Sequence, residues 1–134
     1  MSFNAKQYDS DKFVEGVWEE FQGGQFKIAK AGNHIFLDAK RRLDKEHSKK
    51  YDGGIVPAKA EQEKLCLAIA EGILRDWKEV VDDCGEPLLY DIEAAAATLD
   101  GHPPLIEFVL SKANELDRFD RDEVSREAKK PLTS

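Results

Sequence analysis

The alternation of apolar and polar residues first becomes regular at residue 16. Two short runs flank a Gln-Gly-Gly turn, where glycine can take a positive φ at little cost. In the second run Phe26 and Ile28 face one side while their polar neighbours face the other, as in a half-buried strand. The pattern therefore predicts a β-hairpin over residues 16–30.

Apolar residues then recur at steps of three and four, the periodicity of helices that bury one face. The predicted helices cover residues 33–48, 57–81, 91–99 and 103–127. Asn33 and Asp91 stand before two of them as N-cap residues. Prolines stand in the first turns of the other two, where a missing N–H group costs nothing.

The second predicted helix has the broadest apolar stripe and is expected to be central. Its stripe contains Cys66, Ile69, Ile73, Trp77 and Val80, widened by Leu65, Leu74 and Val81. Gly72 lies within it, and glycine in a helix interior costs about 1 kcal/mol relative to alanine. We therefore expect a close helix crossing at Gly72.

A chain of 134 residues has the length of one ordinary domain. We predict a mainly α fold, in which an N-terminal β-hairpin packs on a small bundle of about four helices. Residues 1–15 are expected to form a flexible N-terminal arm and residues 16–128 a single globular domain. Residues 129–134 are expected to form a C-terminal tail.

Charge is distributed unevenly along the sequence. The 27 acidic and 20 basic side chains give a net charge of -7, which disfavours nucleic acid and anionic membranes as partners. A basic cluster in and just after the first predicted helix comprises Lys40, Arg41, Arg42, Lys45, Lys49 and Lys50. Residues 79–111 contain eight acidic residues and no Lys or Arg. This separation suits contact with another copy or a partner, and equally suits unevenly charged faces in solvent.

Residue types that carry catalysis or bind metals are scattered. His34, His47 and His102 match no metal-ligand spacing, and the two cysteines form no CxxC pair. Cys66 lies on an apolar helix face and is expected to be buried, whereas Cys84 lies in a polar turn. The sequence therefore predicts a protein that is not an enzyme and uses no cofactor or metal.

Aromatic residues are the clearest candidates for contact with a partner. A small hairpin cannot bury Trp18, Phe21 and Phe26 alone, so they pack on the helices or form an exposed apolar patch. We expect at least two of these three rings in the core. Together with apolar residues near the end of the last helix, the candidate partner-binding residues are Trp18, Phe21, Phe26, Leu116 and Phe119.

Several local strings occur in a characteristic order. They are the hairpin string of residues 16–33, Asp76-Trp-Lys-Glu-Val-Val-Asp-Asp-Cys-Gly-Glu-Pro87, Tyr90-Asp91 before a helix of alanines, Phe108-Val109 and Ala113-Asn114. In this order they resemble the tail assembly chaperones of long-tailed, siphovirus-type bacteriophages. The resemblance spans roughly residues 16–128.

The resemblance implies a protein of the host cytoplasm that binds the phage tape-measure protein, keeps it soluble and promotes assembly of tail-tube protein around it. Such a chaperone is absent from the mature virion. The lack of a long apolar run or of a signal-peptide pattern agrees with that location. Self-association into homo-oligomers is compatible with exposed apolar surface on a highly charged chain.

Three other functions remain open. The first is a structural subunit, such as a head-tail connector or tail terminator. The second is an acidic adaptor that mimics nucleic acid through the carboxylates of residues 79–107. An enzyme ranks third, and it would need a pocket that holds a carboxylate with a perturbed pKa.

Overall fold

The computed structural model describes residues 2, 3, 5 and 10–119. Its elements in chain order are α1 (Ser10–Glu15), β1 (Val17–Phe21), β2 (Gly24–Ile28), α2 (His34–Lys50), α3 (Ala58–Gly72), β3 (Leu74–Lys78), α4 (Ile92–Asp100), α5 (Pro103–Ala113) and a 3₁₀ helix (Leu116–Phe119). The predicted class, mainly α with an N-terminal hairpin packed on helices, is confirmed. α2 and α4 nearly coincide with the helices predicted over residues 33–48 and 91–99.

The β-hairpin forms around a two-residue turn of type I′. Gln22 and Gly23 both have positive φ, 49° and 86°. Along β2 the side chains alternate between the interior and the surface, and Phe26 and Ile28 are buried. β3 pairs antiparallel with the free edge of β2, which makes β2 the central strand of a three-stranded sheet.

The helix predicted over residues 57–81 is wrong beyond Gly72. α3 ends there, and β3 follows with Leu74 and Trp77 both buried. In a regular strand, residues three apart such as Leu74 and Trp77 would face opposite sides. Here they face the same side, because Arg75 has no partner in the pairing of β3 with β2 and forms a β-bulge. This bulge gives β3 the three-residue spacing of a helix, which is why the apolar pattern is misleading.

Asn33 caps α2, as predicted, and also joins α2 to α3. Its side-chain oxygen accepts hydrogen bonds from the backbone N–H groups of Ile35 and Phe36, at 2.9 and 3.0 Å. Its side-chain amide donates to the carbonyl oxygen of Gly72 at 2.8 Å. A Cβ atom on Gly72 would collide with the backbone of Phe36. The expected close crossing at Gly72 is therefore confirmed.

The flexible arm predicted over residues 1–15 is wrong for its last six residues, which form α1. The ring of Phe13 packs edge-to-face on that of Phe119, with centroids 5.5 Å apart. The carbonyl oxygen of Phe13 also accepts a hydrogen bond from the backbone N–H of Lys30 at 2.9 Å. These contacts dock α1 on the domain. Residues 1, 4 and 6–9 lie outside the described part.

The last helix, predicted over residues 103–127, ends early at Ala113. The side-chain amide of Asn114 donates to the carbonyl oxygen of Leu110 at 2.8 Å, in competition with the next helical backbone bond. A short 3₁₀ helix follows. The remainder of the predicted helix and the predicted tail fall within residues 120–134, outside the described part.

α3 is the central helix, because it packs against both α2 and α4 and its C-terminal half contributes to the core. The core cluster contains Phe26, Ile28, Cys66, Ile69, Ala70, Ile73, Leu74, Trp77, Ala95, Leu99, Leu105, Ile106, Val109 and Ala113. The hydroxyl group of Tyr90 lies 3.0 and 2.7 Å from the carbonyl oxygens of Ala70 and Leu74. It therefore attaches the segment before α4 to the C-terminal end of α3.

Candidate functional site

Two of the predicted partner-binding residues lie at the margin of the core. Trp18 is half-buried, and the Lys78 ammonium group stands 4.4 Å from its ring centroid. Phe21 is also half-buried and stacks on Phe108, with centroids 4.5 Å apart. Both rings keep some accessible surface. Partner binding by Trp18 and Phe21 stays a prediction.

Phe26 and Phe119, two of the other three predicted residues, are buried. Phe26 belongs to the core cluster, and Phe119 is fully buried against Phe13. Both rings contribute to packing, and Phe26 also lines a recess beside Phe21. Partner binding by Phe26 and Phe119 stays a prediction. The side chain of Leu116 lies outside the described part.

An open apolar groove lies between α2 and α3. Its volume is about 520 Å³, and it is lined by Phe36, Lys40, Ala58, Glu61, Gln62, Lys64, Leu65 and Ala68. Leu65 keeps 38% of its surface exposed there. The lining has the chemistry of a site for an apolar segment of another molecule, because apolar atoms form most of its surface and charged groups edge it.

Ion pairs order the edge of the α2–α3 groove. The Lys64 ammonium group lies 2.8 Å from a carboxylate oxygen of Asp44 on α2 and 3.2 Å from one of Glu61 on α3. The hydrogen bond to Asp44 raises the pKa of Lys64, against a smaller opposing effect of burial. Lys40 forms no ion pair with any described residue and remains available at the groove edge.

The α2–α3 connection forms a second, basic surface, which we call the helical tip (residues 45–59). It contains four lysines and two acidic residues. Ile55 stands at its end with 96% of its surface exposed. Ile55 therefore buries almost no apolar surface against the described residues. Lysines precede and follow it in the sequence.

A third surface is the acidic loop (residues 79–91), which contains five carboxylates and no basic residue. Asp82 orders its turn by accepting hydrogen bonds from the backbone N–H groups of Cys84 and Glu86, at 2.8 and 3.0 Å. Val81 and Leu89 are nevertheless 57% and 82% exposed. A hollow of about 290 Å³ lies beside them, between the end of β3 and the return of the loop.

The thiols and histidines do not converge on one site. Cys66 is buried, and loss of hydration raises its pKa to about 11, which keeps the thiol protonated. Cys84 is exposed, as predicted. The Nδ1 atom of His102 accepts a hydrogen bond from the backbone N–H of Leu105 and so caps α5. Within the part that the structure describes, no three His, Cys, Asp or Glu side chains are grouped to hold a metal ion.

A family model described as YdaY prophage protein matches residues 31–130. The match covers about three quarters of the chain and includes the groove, the helical tip and the acidic loop. The chain belongs to the YdaY prophage protein family. The family supports a phage origin for the chain, in agreement with that part of the resemblance. No curated protein and no solved structure matches it.

The sequence predicted only some of the exposed apolar residues of this YdaY prophage protein. Leu65 and Val81 stand at the margins of the stripe assigned to one helix, and the break at Gly72 moves Val81 into a loop. Ile55 and Leu89 were missed as surface features. Their signal is local, since each is an apolar residue in a segment rich in Gly, Pro or charge. None of the helices in the described residues has the length and apolar character needed to cross a bilayer.

Proposed function

We propose that this prophage protein is a tail assembly chaperone of the host cytoplasm. It binds the tape-measure protein, keeps it soluble, promotes assembly of tail-tube protein and is absent from the mature virion. The observation that carries the proposal is the open apolar groove between α2 and α3 on a chain of prophage family. This role needs no catalytic group, cofactor, nucleic acid or membrane.

The chemistry of the groove supports binding of an amphipathic helix. Apolar side chains of a client helix would replace water over Leu65, Phe36 and Ala68, which line the groove. Carboxylates on the flank of such a helix would face Lys40 at the edge. The net charge of -7 would keep the complex soluble while the client's apolar face is covered.

Co-expression with the tape-measure protein of the same prophage tests the proposal. We expect more soluble tape measure with this chain than without it, and co-purification of the two. The Leu65→Glu variant places a charge in the groove and should abolish co-purification, because a carboxylate removes apolar contact with the client and loses its hydration when the client covers it. Leu37→Glu is the matched control, since Leu37 is 44% exposed on α2 and does not line the groove.

Two results would contradict the proposal. The first is a tape measure that is equally insoluble with and without the chain and does not co-purify. The second is recovery of the chain in purified virions at the stoichiometry of a tail or connector protein, which would favour a structural subunit instead. An acidic nucleic-acid mimic would be recognised by tight binding to a DNA-binding protein through residues 79–107.

A further inference from the structure

We infer that copies of this chain associate head-to-tail, with the helical tip of one copy docked on the acidic loop of the next. This contact differs from the proposed client groove, which the helical tip adjoins at Ala58. The residues that line the groove do not line the hollow in the acidic loop.

The helical tip has the properties of an inserting surface. Ile55 projects with 96% of its surface exposed, at a connection whose turn contains Gly53 and Gly54. Lys45, Lys49 and Lys59 are exposed and form no ion pair with any described residue. An apolar side chain among free cations suits an apolar recess surrounded by carboxylates.

The acidic loop has the complementary properties. Val81, Pro87 and Leu89 line its hollow, so Ile55 would meet apolar side chains there, while Lys78 and Glu79 line the side toward β3. Asp83 and Glu86 stand in the same loop, exposed and without a cation partner among the described residues. The run from residue 79 to residue 111 contains no Lys or Arg that would neutralise them within the chain.

The loop is ordered before any partner arrives, which lowers the entropic cost of docking. The indole N–H of Trp77 donates to the carbonyl oxygen of Leu88 at 2.7 Å. The hydroxyl group of Tyr90 lies against the end of α3, and the Asp82 carboxylate orders the turn between them.

The two surfaces lie toward opposite ends of α3. The helical tip leads into α3 at Ala58, whereas Tyr90 holds the acidic loop beside Ala70. Twelve residues of helix span about 18 Å at the usual rise. A copy that docks its tip on a neighbour therefore leaves its own acidic loop open for another tip. Such a contact is heterologous and propagates into a ring or an open row.

Sedimentation velocity of the full chain over a range of concentrations tests the inference. At low salt we expect species larger than a monomer, with a population that rises with concentration. In high salt the association should weaken at least about tenfold, because counterions screen the contact between lysines and carboxylates. A chain that stays monomeric at every concentration in low salt would overturn the inference.

Charge reversal identifies the surfaces involved. Lys49→Glu/Lys50→Glu in the tip and Asp83→Lys/Glu86→Lys in the loop should each weaken self-association about tenfold or more. A mixture of the two variants should recover it in part, because the new carboxylates at positions 49 and 50 can then pair with the new ammonium groups at positions 83 and 86. The control Glu63→Lys/Glu107→Lys makes the same change in net charge as the loop variant, on exposed helix positions, and should behave as wild type.

The apolar half of the contact has its own variant. Ile55→Ser should weaken association, whereas Leu37→Ser, at an exposed leucine outside both surfaces, should not. Far-UV circular dichroism establishes that each variant is folded. Association that persists unchanged in both charge-reversal variants would place the contact elsewhere and overturn the inference. Failure of the mixture to recover association would overturn it as well.

Discussion

Arg118 is buried although it is charged, because its guanidinium nitrogens donate hydrogen bonds to four oxygen atoms. Its Nε donates to a carboxylate oxygen of Glu19 at 2.6 Å. Its two terminal nitrogens donate to the carbonyl oxygens of Lys112, Val17 and Ile28, at 2.5, 3.0 and 3.3 Å. One side chain thus joins the 3₁₀ helix to both strands of the hairpin.

Replacement of Arg118 by lysine is expected to lower the free energy of unfolding by about 2–4 kcal/mol. Lysine keeps the positive charge, but its single ammonium group cannot donate to all four oxygen atoms that the planar guanidinium group reaches. Urea unfolding followed by circular dichroism measures the loss. Arg41→Lys is the control, because Arg41 is exposed and its one ion pair among the described residues is with Asp38, at 3.4 Å. A change there should stay within about 0.5 kcal/mol, and equal losses would contradict the account of Arg118.

The two thiols are expected to differ sharply in reactivity. The thiolate is the nucleophile, and a pKa of about 11 leaves Cys66 protonated at pH 8 as well as buried. Ellman's reagent should therefore titrate one thiol rapidly in the folded protein and the second only after denaturation. In Cys84→Ser no fast reaction should remain. A fast reaction in that variant would show that the helix carrying Cys66 opens readily.

At the scale of elements, the features that depend on residues close together in the sequence were predictable. The N-caps at Asn33 and Asp91 and the glycine turn of the β-hairpin are of this kind. β3 was not predictable, because its inward residues Leu74 and Trp77 have helical spacing and only pairing with β2 selects the strand. The long-range bonds of Arg118 likewise leave no local signal.

Gly72 tests the crossing of α2 and α3. Gly72 is the last residue of α3, so Gly72→Ala gains less helix propensity than the roughly 1 kcal/mol of a helix interior, and its new methyl group would collide with the backbone of Phe36. We expect the free energy of unfolding in urea to fall by about 1–3 kcal/mol, because the backbone of Phe36 cannot move aside as a flexible side chain could. Gly101→Ala is the control, since a Cβ there meets nothing nearer than 3.5 Å. If both variants were equally stable, α2 and α3 would not cross so closely in solution.

At the scale of the whole molecule, basic and acidic surfaces are arranged in separate places, and each of them also exposes apolar residues. The sequence showed the uneven charge directly, since a basic cluster and an acidic span lie in different parts of the chain. It could not show that α2 and α3 leave an open groove, because a groove depends on the angle and distance at which two helices cross. Leu65 therefore looked like an edge of the core rather than part of a surface.

The separation of these surfaces predicts that client binding and self-association can be lost independently. Leu65→Glu alters only the groove, so it should lose co-purification with the tape-measure protein and sediment as wild type. Lys49→Glu/Lys50→Glu alters only the helical tip, so it should sediment as a monomer and still bind the client. Co-purification and sedimentation velocity on the same preparations measure both properties. Loss of both properties in either variant would mean that client and neighbouring copy use one shared surface, because neither substitution reaches the core.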